Sequence, residues 1–189
     1  MCGSVLLKPY YNIYVIMILE DSIPLFNSTE LDFIKSSWND DTLDQKNYKD
    51  ITKRFKDVYL NNLPQEYVDR FLDWIEKKIE NKIHNRKKYN FILKIMKKGD
   101  HFDYHTDTDF VSTSWKVEYA AGFHINDDYE GGEFVVYENG KQRIIGKQIG
   151  VPYIFSSEVG HKINKVKSKI RYSIIVFIYN NSIDKRILI

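Results

Sequence analysis

At 189 residues the chain has the length of one domain, and 43% hydrophobic content excludes a disordered polymer. A net charge of +2, with lysines interleaved among Asp and Asn, leaves no concentrated basic face, so nucleic acid is not expected as a partner. The only cysteine, Cys2, excludes an internal disulfide framework and suits a reducing compartment.

The stretch from Val5 to Leu19 is apolar, but Lys8, Pro9 and Asn12 interrupt it, and Glu20 and Asp21 close it. It is too short and broken to span a bilayer, and no small-residue cleavage site follows it. The expectation is a cytoplasmic chain without a membrane partner, in which Tyr11 to Leu19 form a buried strand. Asn27-Ser28-Thr29-Glu30 offers capping residues ahead of Leu31, Phe33 and Ile34, which predicts a first helix. A second helix is predicted from Leu63-Pro64, with Pro early in the helix. Tyr67, Val68, Phe71, Leu72, Ile75 and Ile79 recur on it at helical spacing, and Trp74 and Ile83 extend the stripe. Its other face is Lys and Glu, and nothing on it suggests chemistry.

From Tyr89 the pattern changes to short runs of Ile, Val, Phe and Tyr separated by Gly, Asn and Asp. The predicted strands are Phe91–Met96, Val117–Ile125, Glu133–Glu138, Arg143–Ile149, Tyr153–Phe155, His161–Val166 and Arg171–Tyr179. Asn139-Gly140 is a strong two-residue hairpin signal, and Gly131-Gly132 suits a tight turn. These features predict a mainly β fold with supporting helices, in the form of a jelly-roll barrel. Without a linker or repeat, residues 1–189 are expected to form a single domain. Residues 1–88 supply the N-terminal strand and bracing helices, and 89–180 the core.

Histidine is scarce: His84, His101, His105, His124 and His161. His84 follows the second helix among basic residues and is expected to be exposed. His105-Thr106-Asp107 places an imidazole and a carboxylate two residues apart, and His161 opens a later strand. Two histidines and one carboxylate on one face of a metal, with the other positions open, form the ligand set of non-haem iron(II) oxygenases. A His-x-Asp triplet by itself is weak, since His101-Phe102-Asp103 is a second one four residues upstream.

The surrounding segments resemble a known family. Gly99 to Asp107 is similar to the "Gly, five residues, His-x-Asp" segment of the prolyl 4-hydroxylase-like branch of the iron(II)/2-oxoglutarate dioxygenases. Phe123 to Phe134 resembles that family's strand, acidic turn and Gly-Gly-Glu-Leu segment. Phe155-Ser156-Ser157, His161-Lys162-Ile163 and Val166 resemble the strand of the distal ligand, and Lys169 to Ser173 the strand of the basic residue. The four matches keep their order over residues 96 to 178.

The resemblance implies a double-stranded β-helix in which iron(II) is held by His105, Asp107 and His161. It further implies that Arg171 grips the distal carboxylate of the co-substrate 2-oxoglutarate, with Ser173 beside it, two residues along the strand. His124 is read in two ways, as a donor to that carboxylate or as a core histidine. Relatives place a Tyr three residues before the glycine, and here that position is Met96, which cannot donate; His124 or Tyr104 is the expected substitute. Relatives of the collagen-modifying kind use Lys where this chain has Arg171. The implied activity is hydroxylation of prolyl residues in a protein or peptide, with release of succinate and carbon dioxide and with ascorbate as accessory reductant. The loop from Thr108 to Lys116, holding Trp115, is the expected substrate selector.

A free amino acid or other small molecule is the alternative substrate. Nucleic-acid demethylation is disfavoured because no second Arg follows Arg171 shortly, and Lys162, Lys165, Lys167 and Lys169 read as an exposed strand face. A non-catalytic binding barrel would be expected to lose a ligand or the anchor. A metal protein without 2-oxoglutarate has no need of Arg171 and Ser173.

Overall fold

The computed structural model describes residues 18–37, 56–60, 62–84, 86, 89, 91–109, 116–138, 140–145 and 148–179. In chain order the elements are β1 (Ile18–Glu20), α1 (Ser28–Ser36), β2 (Lys56–Leu60), α2 (Gln65–Ile79), β3 (Phe91–Met96), β4 (Phe102–His105) and a 3-10 turn (Asp107–Asp109). Then come β5 (Val117–His124), β6 (Glu130–Gly131), β7 (Phe134–Glu138), β8 (Lys141–Ile145), β9 (Pro152–Ser156), β10 (His161–Ile163), β11 (Val166–Ser168) and β12 (Arg171–Tyr179).

The strands form a six-stranded sheet in the order β1-β9-β5-β12-β3-β2, a four-stranded sheet in the order β4-β10-β7-β8, and a β11-β6 pair. All strand pairings are antiparallel. This is the expected jelly roll, mainly β with helices laid against the larger sheet.

The larger sheet is apolar on both faces. Leu93, Ile95, Ala121, Phe123, Ile154, Ile174, Val176 and Ile178 join Leu31 and Ile34 of α1 and Phe71, Leu72 and Ile75 of α2 in one core. Met96, Ala120, Tyr153 and Phe155 point the other way, into the barrel, where they meet Phe134, Val136, Ile145 and Ile163 of the smaller sheet. Because strand side chains alternate, one strand can serve both compartments.

The helices follow their sequence signals. Asn27 caps α1: its side chain accepts from the Glu30 N–H at 3.0 Å, and Glu30 accepts from the Asn27 N–H at 2.9 Å. Leu31 and Ile34 of α1 are buried, whereas Phe33 is 44% exposed and meets Tyr67 edge-on. Pro64 occupies the N-cap of α2 and not its first turn. Phe71, Leu72 and Ile75 are fully buried, each contributing about 2 kcal/mol. Ile83 is buried but lies beyond the helix, which Glu80 ends in a left-handed conformation.

Several strand boundaries differ from expectation. The predicted His161–Val166 strand divides in two, since β10 pairs with β4 and β7 while β11 pairs with β6. The break is a turn in which the Asn164 N–H donates to the Glu133 carbonyl and the Gly132 N–H to the Lys165 carbonyl. The predicted Arg143–Ile149 strand is shifted to Lys141–Ile145, because the pairing of β7 with β8 already sets Glu138 opposite Lys141. Strands β2, β4 and β6 were not anticipated; they are short, polar or at sheet edges. Of the Tyr11–Leu19 strand only Ile18 and Leu19 fall among the described residues; Cys2 and residues 110–115, with Trp115, lie outside them. No helix among the described residues is long and apolar enough to cross a membrane.

The chain beyond α2 is tied back by Glu76, which is 7% exposed. Its carboxylate accepts from the Ile83 N–H at 2.9 Å, Arg86 Nη2 at 2.6 Å and Lys82 Nζ at 2.8 Å. Burial by itself would raise its pKa, but these donors outweigh burial and hold the value at about 2. Glu76→Gln is expected to cost about 2 kcal/mol at neutral pH, read as a lower urea midpoint. The folded pKa lies below the ordinary value of 4.5, so the wild type's advantage is full above that value and fades as pH falls toward 2.

Candidate metal centre

His105 ends β4 and His161 opens β10, and the two residues are direct partners across the sheet. Asp107 begins the 3-10 turn that follows, anchored by its N–H donating to the Ser157 carbonyl at 2.9 Å. Asp107 and His161 are buried and His105 is half-buried. The Nε2 atoms of His105 and His161 both lie 3.7 Å from Asp107 Oδ1. One ligand atom from each of the three residues falls within 4.8 Å of the others.

The tautomers follow from the backbone. His105 Nδ1 lies 2.8 Å from the Asp103 carbonyl, and His161 Nδ1 lies 2.9 Å from the Val159 carbonyl. A carbonyl only accepts, so Nδ1 carries the proton in both rings and each Nε2 presents a lone pair toward Asp107. Burial, followed by the charge that His105 can carry, pushes His161 down to about 3, so it is a neutral imidazole near pH 7. Two lone-pair nitrogens and one carboxylate facing a common point fit a divalent transition metal of the non-haem iron type.

The upstream triplet has the same internal spacing, with His101 Nε2 3.7 Å from Asp103 Oδ1. There Asp103 is exposed and no second histidine joins the pair. A bulge separates the two triplets: His161 pairs with His105 and Ile163 with Phe102, so Asp103 and Tyr104 are squeezed between two inward positions.

That bulge also decides the place of Tyr104. It is 59% exposed, meets Tyr137 edge-on at 4.8 Å and covers Gly160. The sequence offered it as a co-substrate contact; in the structure it packs on Tyr137 and Gly160.

The Arg171 side chain is 1% exposed, the largest of the fully buried side chains. Nη1 donates to Ser173 Oγ at 2.7 Å and approaches Met96 Sδ at 3.8 Å, and Nη2 lies 3.3 Å from His124 Nδ1. Nε has no hydrogen-bond partner. Among the described residues no carboxylate pairs with this cation, an arrangement that costs several kcal/mol unless an anion completes it. Arg171, Ser173 and His124 are thus brought together, with Ser173 accepting from the guanidinium.

The anchor and the triad share one wall. The Phe134 ring lies 5.5 Å from His161 and 5.2 Å from Tyr153, and Tyr153 lies 5.7 Å from His124. Phe155 packs on His161 at 4.8 Å. Sequence reasoning did not single out Tyr129 and Tyr153, the buried phenols beside Arg171. Local sequence carries no signal for Tyr153, because its place opposite Gly122 is set by the pairing of β9 with β5.

No family model matches the sequence, and no curated protein matches it. Solved structures do. A prolyl-4-hydroxylase from Pseudomonas putida superposes with a TM-score of 0.67 at 12% identity, covering 87% of this chain and 92% of that one. A prolyl hydroxylase from Trichoplax adhaerens, in complex with a hypoxia inducible factor peptide fragment, gives 0.63 at 14%, covering 87% and 84%. A viral collagen prolyl hydroxylase from Paramecium Bursaria Chlorella virus-1, in a 2OG complex, gives 0.62 at 15%, covering 86% and 94%.

Asp107→Ala is expected to weaken divalent metal binding at least about tenfold, measured by titration calorimetry with iron(II) or manganese(II). Asp103→Ala should leave it unchanged. The chain has the jelly-roll fold of the prolyl-4-hydroxylase-like 2-oxoglutarate oxygenases, with a His-Asp-His cluster inside its barrel.

Proposed function

We propose that the chain is an iron(II)- and 2-oxoglutarate-dependent hydroxylase acting on prolyl residues of a protein or peptide. The observation that carries this reading is Arg171, a buried guanidinium with only neutral hydrogen-bond partners, on the same barrel interior as His105, Asp107 and His161. A metal site alone does not require such a cation. A metal site whose co-substrate ends in a second carboxylate does.

His105, Asp107 and His161 hold the metal, and Arg171 takes the distal carboxylate through a charge-assisted pair. Ser173 fixes the guanidinium by accepting from Nη1, which aims the remaining N–H groups. Phe134, Phe155, Val159 and Ile163 form dry walls that keep water from the centre. When bound, iron(II) and 2-oxoglutarate supply the activation of dioxygen, with succinate and carbon dioxide formed from the co-substrate and a hydroxyl delivered to the substrate carbon. Ascorbate fits as the reductant that keeps the iron divalent. A prolyl substrate is favoured by the likeness to prolyl hydroxylases, one of them crystallised with a peptide. A free amino acid is the competing substrate, and succinate release stimulated by proline-containing peptides but not by free proline separates the two.

The decisive test needs no substrate. Anaerobic iron(II) protein titrated with 2-oxoglutarate is expected to develop a visible charge-transfer band. Arg171→Met should raise the dissociation constant about a hundredfold, since a buried charge pair is worth about 3 kcal/mol. The same variant should raise the melting temperature of the ligand-free protein, because it removes an uncompensated buried charge. A folded wild type that gives no band at saturating co-substrate would sink the proposal.

A further inference from the structure

The guanidinium of Arg171 is walled by two phenols. Tyr153 comes from β9, directly opposite Gly122 of β5. A Cβ at residue 122 would stand 2.9 Å from the Tyr153 hydroxyl and would clash with the Ile174 carbonyl oxygen, so only glycine lets the phenol lie across the strand toward the barrel interior. Its ring is 5.7 Å from that of His124, the residue that meets Arg171 Nη2. Tyr129 lies in the turn before β6. A Cβ at Gly132 would stand 3.1 Å from Arg171 Cδ and 3.2 Å from Tyr129 Cε2, so these two side chains converge on one glycine.

Tyr129 and Tyr153 are both 4% exposed. Burial raises the pKa of both, that of Tyr153 to about 12, and the Arg171 charge acts against the rise in each. Both are therefore neutral near pH 7 and able to donate, and both lie within electrostatic reach of the guanidinium. The strand partner of Arg171 contributes no donor: it is Met96, whose sulfur only accepts. A carboxylate accepts several hydrogen bonds at once, so donors beyond the arginine are needed to satisfy one in a dry pocket.

We propose that Tyr153, seconded by Tyr129, donates its phenolic hydrogen to the carboxylate that Arg171 binds, and thereby selects a keto acid carrying a distal carboxylate. This rests on the proposed 2-oxoglutarate chemistry. The donor is supplied by β9, two strands away from β12 in the same sheet, and by the turn before β6, and not by β3, where Met96 stands.

The test is an anaerobic titration of the iron(II)-loaded full chain, read by the charge-transfer band, with two ligands: 2-oxoglutarate and pyruvate, a keto acid lacking the distal carboxylate. Tyr153→Phe keeps the ring and its packing on Phe134, and thermal melting checks that it folds. Its dissociation constant for 2-oxoglutarate should rise about tenfold, the effect of one hydrogen bond to a charged group, while that for pyruvate stays at the wild-type value. Tyr129→Phe, an independent variant on another element, should give a smaller selective loss of about threefold. Unchanged 2-oxoglutarate affinity in Tyr153→Phe, or equal losses for both keto acids, would overturn the role of the tyrosine while leaving the oxygenase reading intact. A wild type that gives no band with 2-oxoglutarate would overturn both.

Discussion

Along β12, side chains alternate between two apolar compartments, and the rest of the molecule is arranged around that alternation. Ile174, Val176 and Ile178 sink into the layer made with α1 and α2. Arg171 and Ser173 turn into the barrel, where Ile175 and Phe177 follow them. A shift of one residue would exchange the two sets, placing a guanidinium against Phe71 and isoleucines beside the His-Asp-His cluster in the barrel. The register is held on both sides, by β3 and by β5, through five and seven paired positions. The helices therefore cover the outer face of β12, while the cation on its other face is buried in the barrel.

Two charge problems are solved in different ways. The carboxylate of Glu76 is buried with its own donors, from Ile83, Lys82 and Arg86, and so stabilises the closed fold. The guanidinium of Arg171 is buried with neutral partners, Ser173 and His124, among the described residues, and in the proposed function an anion completes it. At the metal centre each imidazole is oriented by a backbone carbonyl at its Nδ1, which leaves both Nε2 atoms facing Asp107.

The likeness to prolyl hydroxylases is one of fold, at 12–15% identity. Met96 stands where relatives carry a tyrosine, and the phenols nearest Arg171 come instead from β9 and the turn before β6. A pocket can exchange the strand that supplies a donor because only the position of the hydroxyl matters, not its place in the chain.

The sequence by itself determined the β-rich second half, the two helices, the Asn139-Gly140 hairpin and the candidate set His105, Asp107, His161 and Arg171. Those features rest on local spacing, turn chemistry and motif order, which persist in a linear reading. It also marked Ser173, two positions along the strand from Arg171, and the family resemblance drew notice to His124. What only the tertiary structure decided concerns partners that are far apart in the chain. The bulge in β4 turned Tyr104 outward, because an extra residue on one strand changes facing in a way no periodicity announces. The pairing of β9 with β5 set Tyr153 over Gly122 and beside His124, a neighbourhood made by register across strands. Equal His-x-Asp spacing at 101–103 and 105–107 left two candidates, and the choice between them on structural grounds came from His161, which the sheet pairs with His105. Local chemistry is written in order along the chain, whereas a site is a set of distances, and those exist only once the strands have paired.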